Sequence, residues 1–258
     1  MVIVVKVGTS TLTHTTGMLD IRRVEHLCKV LSDLKNAGND IVLVSSGAIA
    51  MGVGKLNLKK RPDDMPGKQA AAAVGQCELM YTYDKLFSEH NHTVAQILLT
   101  GSDVKDDERH ENFRNTIEKL LELNVLPIIN ENDTISTDEI SVGDNDSLGA
   151  IVADTIGADL LILLSDIDGL YTADPRTDKD AKLIPLVSTV DEHIRSLAGG
   201  KGSAFGTGGM CTKINAAAIC EQAGIDMVIA NGTDPDNLYR ILDGEQIGTR
   251  FLGKKAGK

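Results

Sequence analysis

Short aliphatic runs recur along this chain with helix-length patterns between them, and that alternation narrows the possible folds more than any other feature. VIVVKV (2–7), DIVLVSS (40–46), TVAQILLT (93–100), VLPIIN (125–130), DLLILLSD (159–166) and IDMVIAN (225–231) read as strands. The first reads as buried on both faces. Residues 20–37 place Ile21, Val24, Leu27, Cys28, Leu31 and Leu34 at helical spacing, and Gly38 follows as a stop. Helices are also predicted over 67–90, where alanines permit close packing, and over 108–123, 145–157, 209–223 and 235–243. Strands alternating with helices predict an α/β fold, a three-layer α/β/α sandwich with a mainly parallel open sheet.

The 258 residues suffice for one large α/β domain, and no internal repeat or low-complexity tract divides them. A long loop over 167–206 is the expected boundary between two lobes of that single domain, about 1–157 and about 158–258. Net charge is 26 − 37 = −11, spread along the chain. Phosphate backbones and anionic membranes attract basic faces, so neither nucleic acid nor membrane is an expected partner. Cys28, Cys77, Cys211 and Cys220 form no CxxC pair and no zinc spacing, and read as reduced thiols. No residue is assigned to a metal. The start, MVIVVKVGTS, lacks the basic segment and the long apolar core of a secretory signal. No apolar stretch approaches the ~20 residues of a membrane span, so a cytoplasmic protein is expected.

Glycine and polar clusters fall just after the strands: KVGTST, SSGA, TGSD, INENDT and SDIDGLY. In open α/β sheets ligands bind beyond the carboxyl ends of strands, so these clusters mark a site. Lys6 ends a buried strand and needs an anion or water, while Gly8 admits a ligand close to the backbone. Ser45-Ser46-Gly47-Ala48 at a strand-to-helix turn suits a carboxylate or a phosphate. Asn130, Glu131, Asn132, Asp133, Asp144, Asn145 and Asp146 suit either a divalent ion or the ammonium and amides of an amino acid. Their spacing is not that of an EF-hand. Tyr171, in the GLYTADPR that follows Ser165-Asp166, suits stacking on a base or packing under its loop.

GTGGMCTK (206–213) curls glycines ahead of a helix and adds Lys213, which suits phosphate oxygens through amide donors and a fixed cation. It is not a Walker A motif, which needs GxxxxGK[ST] after a strand. With Lys6, it suggests a phosphoryl group held between two cations.

In order along nearly the whole chain, VVKVGTSTLT, SSGAIAMG, KQAAAAVGQ, INENDT, VGDNDSLGA, LLSDIDGLYTADPR, GTGGMCTKINAA and a closing GT.F at 248–251 resemble the amino-acid-kinase family. Within it they resemble the branch that phosphorylates the side-chain carboxylate of glutamate. NEND…GDND with LYTADPR separates that branch from the acetylglutamate, carbamate and uridylate kinases. Many of its members carry a C-terminal PUA domain; this chain ends at Lys258 and is expected to be the short form.

The resemblance implies ATP as co-substrate with Mg²⁺, L-glutamate as acceptor, and formation of an acyl phosphate in proline synthesis. It implies that Lys6 and Lys213 flank the transferred phosphoryl group and that Asp146 organises their ammoniums. It assigns Ser46, Asp133 and Asn145 to glutamate in the first lobe. It assigns Ser165, Asp166, Thr207, Gly208, Gly209, Met210, Cys211, Thr212 and Lys213 to the nucleotide in the second, with Gly8 and Thr9 reaching phosphates through their amides. The family usually has Thr at Ser165 and Ser at Cys211, so a side-chain bond from Cys211 is weakened. Proline as feedback inhibitor and a homo-oligomer are further implications. The labile product suggests a handoff to glutamate-5-semialdehyde dehydrogenase. The alternatives are a kinase for another acid or phosphate, whose pocket would need an arginine or more room, and a non-catalytic amino-acid binder, which would not need both lysines.

Overall fold

The structure, a computed structural model, describes residues 1–14, 16, 18–135, 144–198 and 209–254. It is an α/β fold whose eight described strands are mainly parallel, with intervening helices, as the alternation predicts. The chain divides into two compact units, Val7–Asn145 and Met1–Lys6 with Asp146–Lys258. The division falls at 145/146, ahead of a helix expected to close the first lobe at about 157. The first six residues also join the second unit, because β1 (Val2–Val7) starts there, its Val2 carbonyl accepting from the Asp159 amide at 2.8 Å.

In the unit Val7–Asn145 the elements are α1 (Thr9–Leu12), α2 (Ile21–Asn36), β2 (Asp40–Ser45), α3 (Ala48–Lys55), α4 (Met65–Ser88), β3 (Val94–Leu99), α5 (Gly101–Lys105), α6 (Asp107–Glu122) and β4 (Leu126–Glu131). Its strand order is β3-β4-β2, all parallel, with Val94 opposite Leu126 and Leu43 opposite Ile128. α2 begins where Asp20 accepts the Arg23 amide at 3.1 Å, and it ends before Gly38, whose φ of +91° a residue with a Cβ resists.

In the other unit α7 (Asn145–Thr155) is followed by β5 (Leu160–Ser165), β6 (Leu186–Val187), α8 (Glu192–Leu197), α9 (Met210–Ala223), β7 (Asp226–Asn231), α10 (Asn237–Leu242) and β8 (Thr249–Phe251). The order is β1-β5-β7-β8-β6. β5 and β7 run parallel from Leu160↔Asp226 to Ser165↔Asn231, whereas β8 is antiparallel to β7. Every residue of β5 is buried, which explains why its sequence is a continuous aliphatic run and not an alternation.

Several short elements escape the sequence reading: α1, α5, α8, β6 and β8. The long loop expected over 167–206 contains β6 and α8. β6 has two residues and β8 three, too few to show a period; both depend on the sheet they join. Thr249 fastens this edge, its hydroxyl donating to the Ile184 carbonyl at 2.7 Å and accepting from the Leu170 amide at 2.8 Å.

α3 starts at the strand-to-helix turn expected at residues 45–48, but its extent is not legible because AIAMGVGK carries two glycines, which lower helix propensity. Contact with α4 explains them. A Cβ at Gly75 would lie 1.7 Å from the Ala48 carbonyl oxygen, and one at Gly52 would lie 1.8 Å from that of Ala71. Backbone meets backbone at this crossing, so only glycine fits. Gly75→Ala should therefore lower the free energy of unfolding by about 3 kcal/mol, read from urea denaturation, because the obstacle is main chain and cannot rotate away. A loss below ~0.5 kcal/mol would show that the crossing can relax.

Candidate active site

Lys6 sits in β1 with 8% of its surface exposed, among aliphatic neighbours. α7 comes close beside it because Gly149 has no side chain; a Cβ there would touch the Lys6 Cβ at 3.4 Å. One turn earlier on α7, Asp146 is 3% exposed and turns its carboxylate to the lysine. Lys6 Nζ lies 2.6 Å from Asp146 Oδ1, and Lys213 Nζ, from α9, lies 3.0 Å from Oδ2. The Thr212 hydroxyl is 2.7 Å from Oδ2 and 2.9 Å from the Gly209 carbonyl, so its single proton is shared between two acceptors.

Burial alone would raise the Asp146 carboxyl. The ammoniums of Lys6 and Lys213 outweigh it, helped by hydrogen bonds from Lys6 and Thr212, and hold it at about 2. Asp146 is therefore a carboxylate at any physiological pH. Two ammoniums and one carboxylate leave a buried charge of 2 − 1 = +1. A lone buried charge is costly, so this cluster is suited to one further anion.

Of the remaining residues expected at the nucleotide, Ser165 and Asp166 lie at the end of β5 and Gly209 to Thr212 at the start of α9, both in this unit. Ser165 closes β5 and its hydroxyl donates to the exposed Asp166 at 3.2 Å. Gly209 caps α9, and Met210, Cys211 and Thr212 form its first turn, where amides lack intrahelical acceptors and can meet phosphate oxygens. Cys211 is exposed. Thr207 and Gly208 lie outside the described residues. Tyr171 donates its hydroxyl to Asp168 at 3.1 Å, and its backbone pairs with Leu183, which is packing within its own loop.

The unit Val7–Asn145 holds a second cluster. β2 passes into α3 through Ser46 and Gly47, whose φ of +104° makes the sharp turn. The Asn145 Nδ2 group is the hub, 2.7 Å from Ser46 Oγ, 3.2 Å from the Ser45 carbonyl and 3.0 Å from Asn130 Oδ1. Asn130 in turn donates to Gln76 Oε1 at 2.9 Å and accepts from the Glu131 amide at 2.9 Å. Ser46, Asp133 and Asn145 thus line one cavity of ≈ 190 Å³, together with Thr9 from α1 and the first residues of α3. Drug-sized ligands occupy cavities from about 300 Å³, so this one suits something the size of an amino acid. Gly8, expected beside Thr9 at the phosphates, caps α1 in an extended conformation.

Asp133 is the opposite of Asp146. Burial pushes its carboxyl up and Glu131 adds to the rise; Arg61 only partly opposes them, and the result is about 6. A cation placed there would lower it again. Arg61 and Gln76 were not picked out from the sequence. Arg61 stands in KKRPDD, which reads as a solvated charge run, whereas Gln76 follows the alanines and glycine of α4, a signal that was available.

Residues 1–231 match the profile of the amino acid kinase family. The chain belongs to the amino acid kinase family. It is 52% identical over 257 residues to the glutamate 5-kinase of Clostridium perfringens, covering 98% of this chain and 96% of that protein. It is 53% identical over 249 residues to the glutamate 5-kinase of Clostridium tetani, covering 96% and 93%. Among solved structures, carbamate kinase from Giardia lamblia bound to AMP-PNP shares the fold, with a TM-score of 0.70 at 19% identity over 98% of each chain. Among the described residues, no helix is long and apolar enough to cross a membrane.

The Asp146 cluster makes acid stability measurable. A carboxyl at about 2 in the fold and 3.8 when unfolded contributes about 2 kcal/mol above pH 4, lost as pH falls towards 2. Urea titrations should show wild type losing about 2 kcal/mol more than Asp146→Asn between pH 4.5 and pH 2. Parallel curves would mean that Asp146 is not held down.

Proposed function

We propose that this chain transfers the γ-phosphoryl group of ATP to the γ-carboxylate of L-glutamate, giving L-glutamyl 5-phosphate, the first step of proline biosynthesis. The buried pair of ammoniums on Asp146 carries this reading, because its uncompensated positive charge suits a migrating phosphoryl group. ATP enters as its magnesium complex, so the metal arrives with the substrate. A γ-carboxylate oxygen attacks the γ-phosphorus, the bond to the bridging oxygen breaks, and ADP leaves with the electron pair. No proton moves. A carboxyl with an ordinary value near ~4.3 is ionised already, so no general base is required. What the step needs is relief of repulsion between two anions and donors for charge on the transferred group.

In this reading Lys6 and Lys213 supply that relief, and Asp146 fixes both ammoniums in place. Ser46 and Asn145 receive a carboxylate, Asp133 receives the α-ammonium, and the unit Val7–Asn145 is the glutamate-binding one. The other unit takes the nucleotide through Ser165, Asp166 and the stretch Thr207 to Lys213, with Gly8 and Thr9 adding amide donors. Proline inhibition, a homo-oligomer, a cytoplasmic setting and delivery of the labile product to glutamate-5-semialdehyde dehydrogenase belong to the same reading.

The cavity does contain an arginine, the feature tied to other acid substrates. Its acidic neighbours decide between them. N-acetylglutamate has no ammonium and would set an uncharged amide against the cavity's carboxylates, whereas glutamate brings a cation to Asp133. Trapping acyl phosphate with hydroxylamine should show turnover of L-glutamate and little of N-acetyl-L-glutamate; the reverse preference would overturn the assignment.

Lys6→Ala or Lys213→Ala should lower kcat about 100-fold and leave the glutamate KM within about threefold, since each removes charge stabilisation expressed in the transition state. An unchanged kcat with a raised KM would contradict that role. Asp133 binds an ammonium only when ionised, so the glutamate KM should rise about tenfold from pH 7 to pH 5, through its value of about 6. Asp133→Asn should start from a high KM and show no such rise.

A further inference from the structure

We infer that Arg61 reads the α-carboxylate of the amino-acid substrate, pairing with it while neighbouring Asp133 takes the ammonium on the same carbon; this rests on the glutamate reading above. Three carboxylates line the cavity, from Glu131, Asp133 and Asp144, and Arg61 is the only basic side chain among its described lining residues. A substrate with two carboxylates and one ammonium is net negative. Such a lining repels it unless a cation answers. Among the described residues no hydrogen bond or ion pair holds the Arg61 guanidinium, so its donor fork is open to a ligand. A guanidinium matches a carboxylate through two parallel hydrogen bonds, which a lysine cannot reproduce.

The assignment to the α- and not the γ-carboxylate follows from chemistry. A nucleophile clamped by a guanidinium loses the lone pairs it must use, so the reacting carboxylate belongs elsewhere. The first amides of α3, beside Ser46, offer weaker and more distributed donors. The α-ammonium and α-carboxylate leave one carbon and need partners side by side. Arg61 and Asp133 both line this cavity without forming an ion pair with each other, so each is open to one of the two groups.

The test compares L-glutamate with 4-aminobutyrate, which is glutamate without its α-carboxylate, by hydroxamate trapping, or by competition against glutamate where turnover of 4-aminobutyrate is too slow. Wild type should prefer glutamate strongly. Arg61→Ala should lower kcat/KM for glutamate about 10- to 100-fold and leave 4-aminobutyrate within about threefold, so that the preference collapses. Equal losses on both substrates, or an unchanged preference, would overturn the inference. Arg61→Lys keeps the charge without the fork and should recover only part of the preference. Full recovery would show a long-range charge effect and also overturn the contact. A wild type that turns over neither substrate while still binding ATP refutes the glutamate reading itself, a result distinct from either.

Discussion

One carboxylate holds two ammoniums away from water, and the unit around it is arranged to make that tolerable. Asp146 can reach Lys6 because Gly149 lets α7 lie against β1, and it can reach Lys213 because α9 starts where it does. Removing the carboxylate would leave two buried cations in mutual repulsion; removing one lysine would neutralise the cluster and abolish its appetite for an anion. The arrangement is a stable structure only in part. Its surplus charge suits a ligand, which is how a fixed electrostatic site differs from an internal salt bridge.

The two aspartates of interest are tuned in opposite directions by what surrounds them. Asp146 is held at about 2 by flanking ammoniums and keeps its charge throughout. Asp133 is pushed to about 6 by burial and by Glu131, so its charge is lost only as the pH falls below neutrality. In the proposed reaction the first organises and the second recognises. A kinase whose acceptor is already an anion needs no residue poised to take a proton.

The fold was largely legible because its strands are buried runs of aliphatic residues, and β1 and β5 could be read from their own residues. The sites were legible where chemistry sits at a strand end, as with Lys6, Ser46 and Ser165. What stayed hidden depends on contacts between distant segments. Gly52 and Gly75 look like helix weaknesses until their carbonyl neighbours are seen. Arg61 is exposed and differs from other surface charges only by lining the cavity, and the role of Gln76 is seen only once Asn130 is found 2.9 Å away. The meeting of Lys6 with Lys213 on Asp146 could be stated beforehand only through resemblance, since no spacing rule joins residues so far apart.

The account is tested most directly by a crystal structure with glutamate, Mg·ADP and an aluminium fluoride standing in for the phosphoryl group in flight. The account predicts that the Nζ atoms of both Lys6 and Lys213 lie within ~3 Å of fluoride atoms while Asp146 still bridges them. A fluoride bound elsewhere, touching neither lysine, would contradict it.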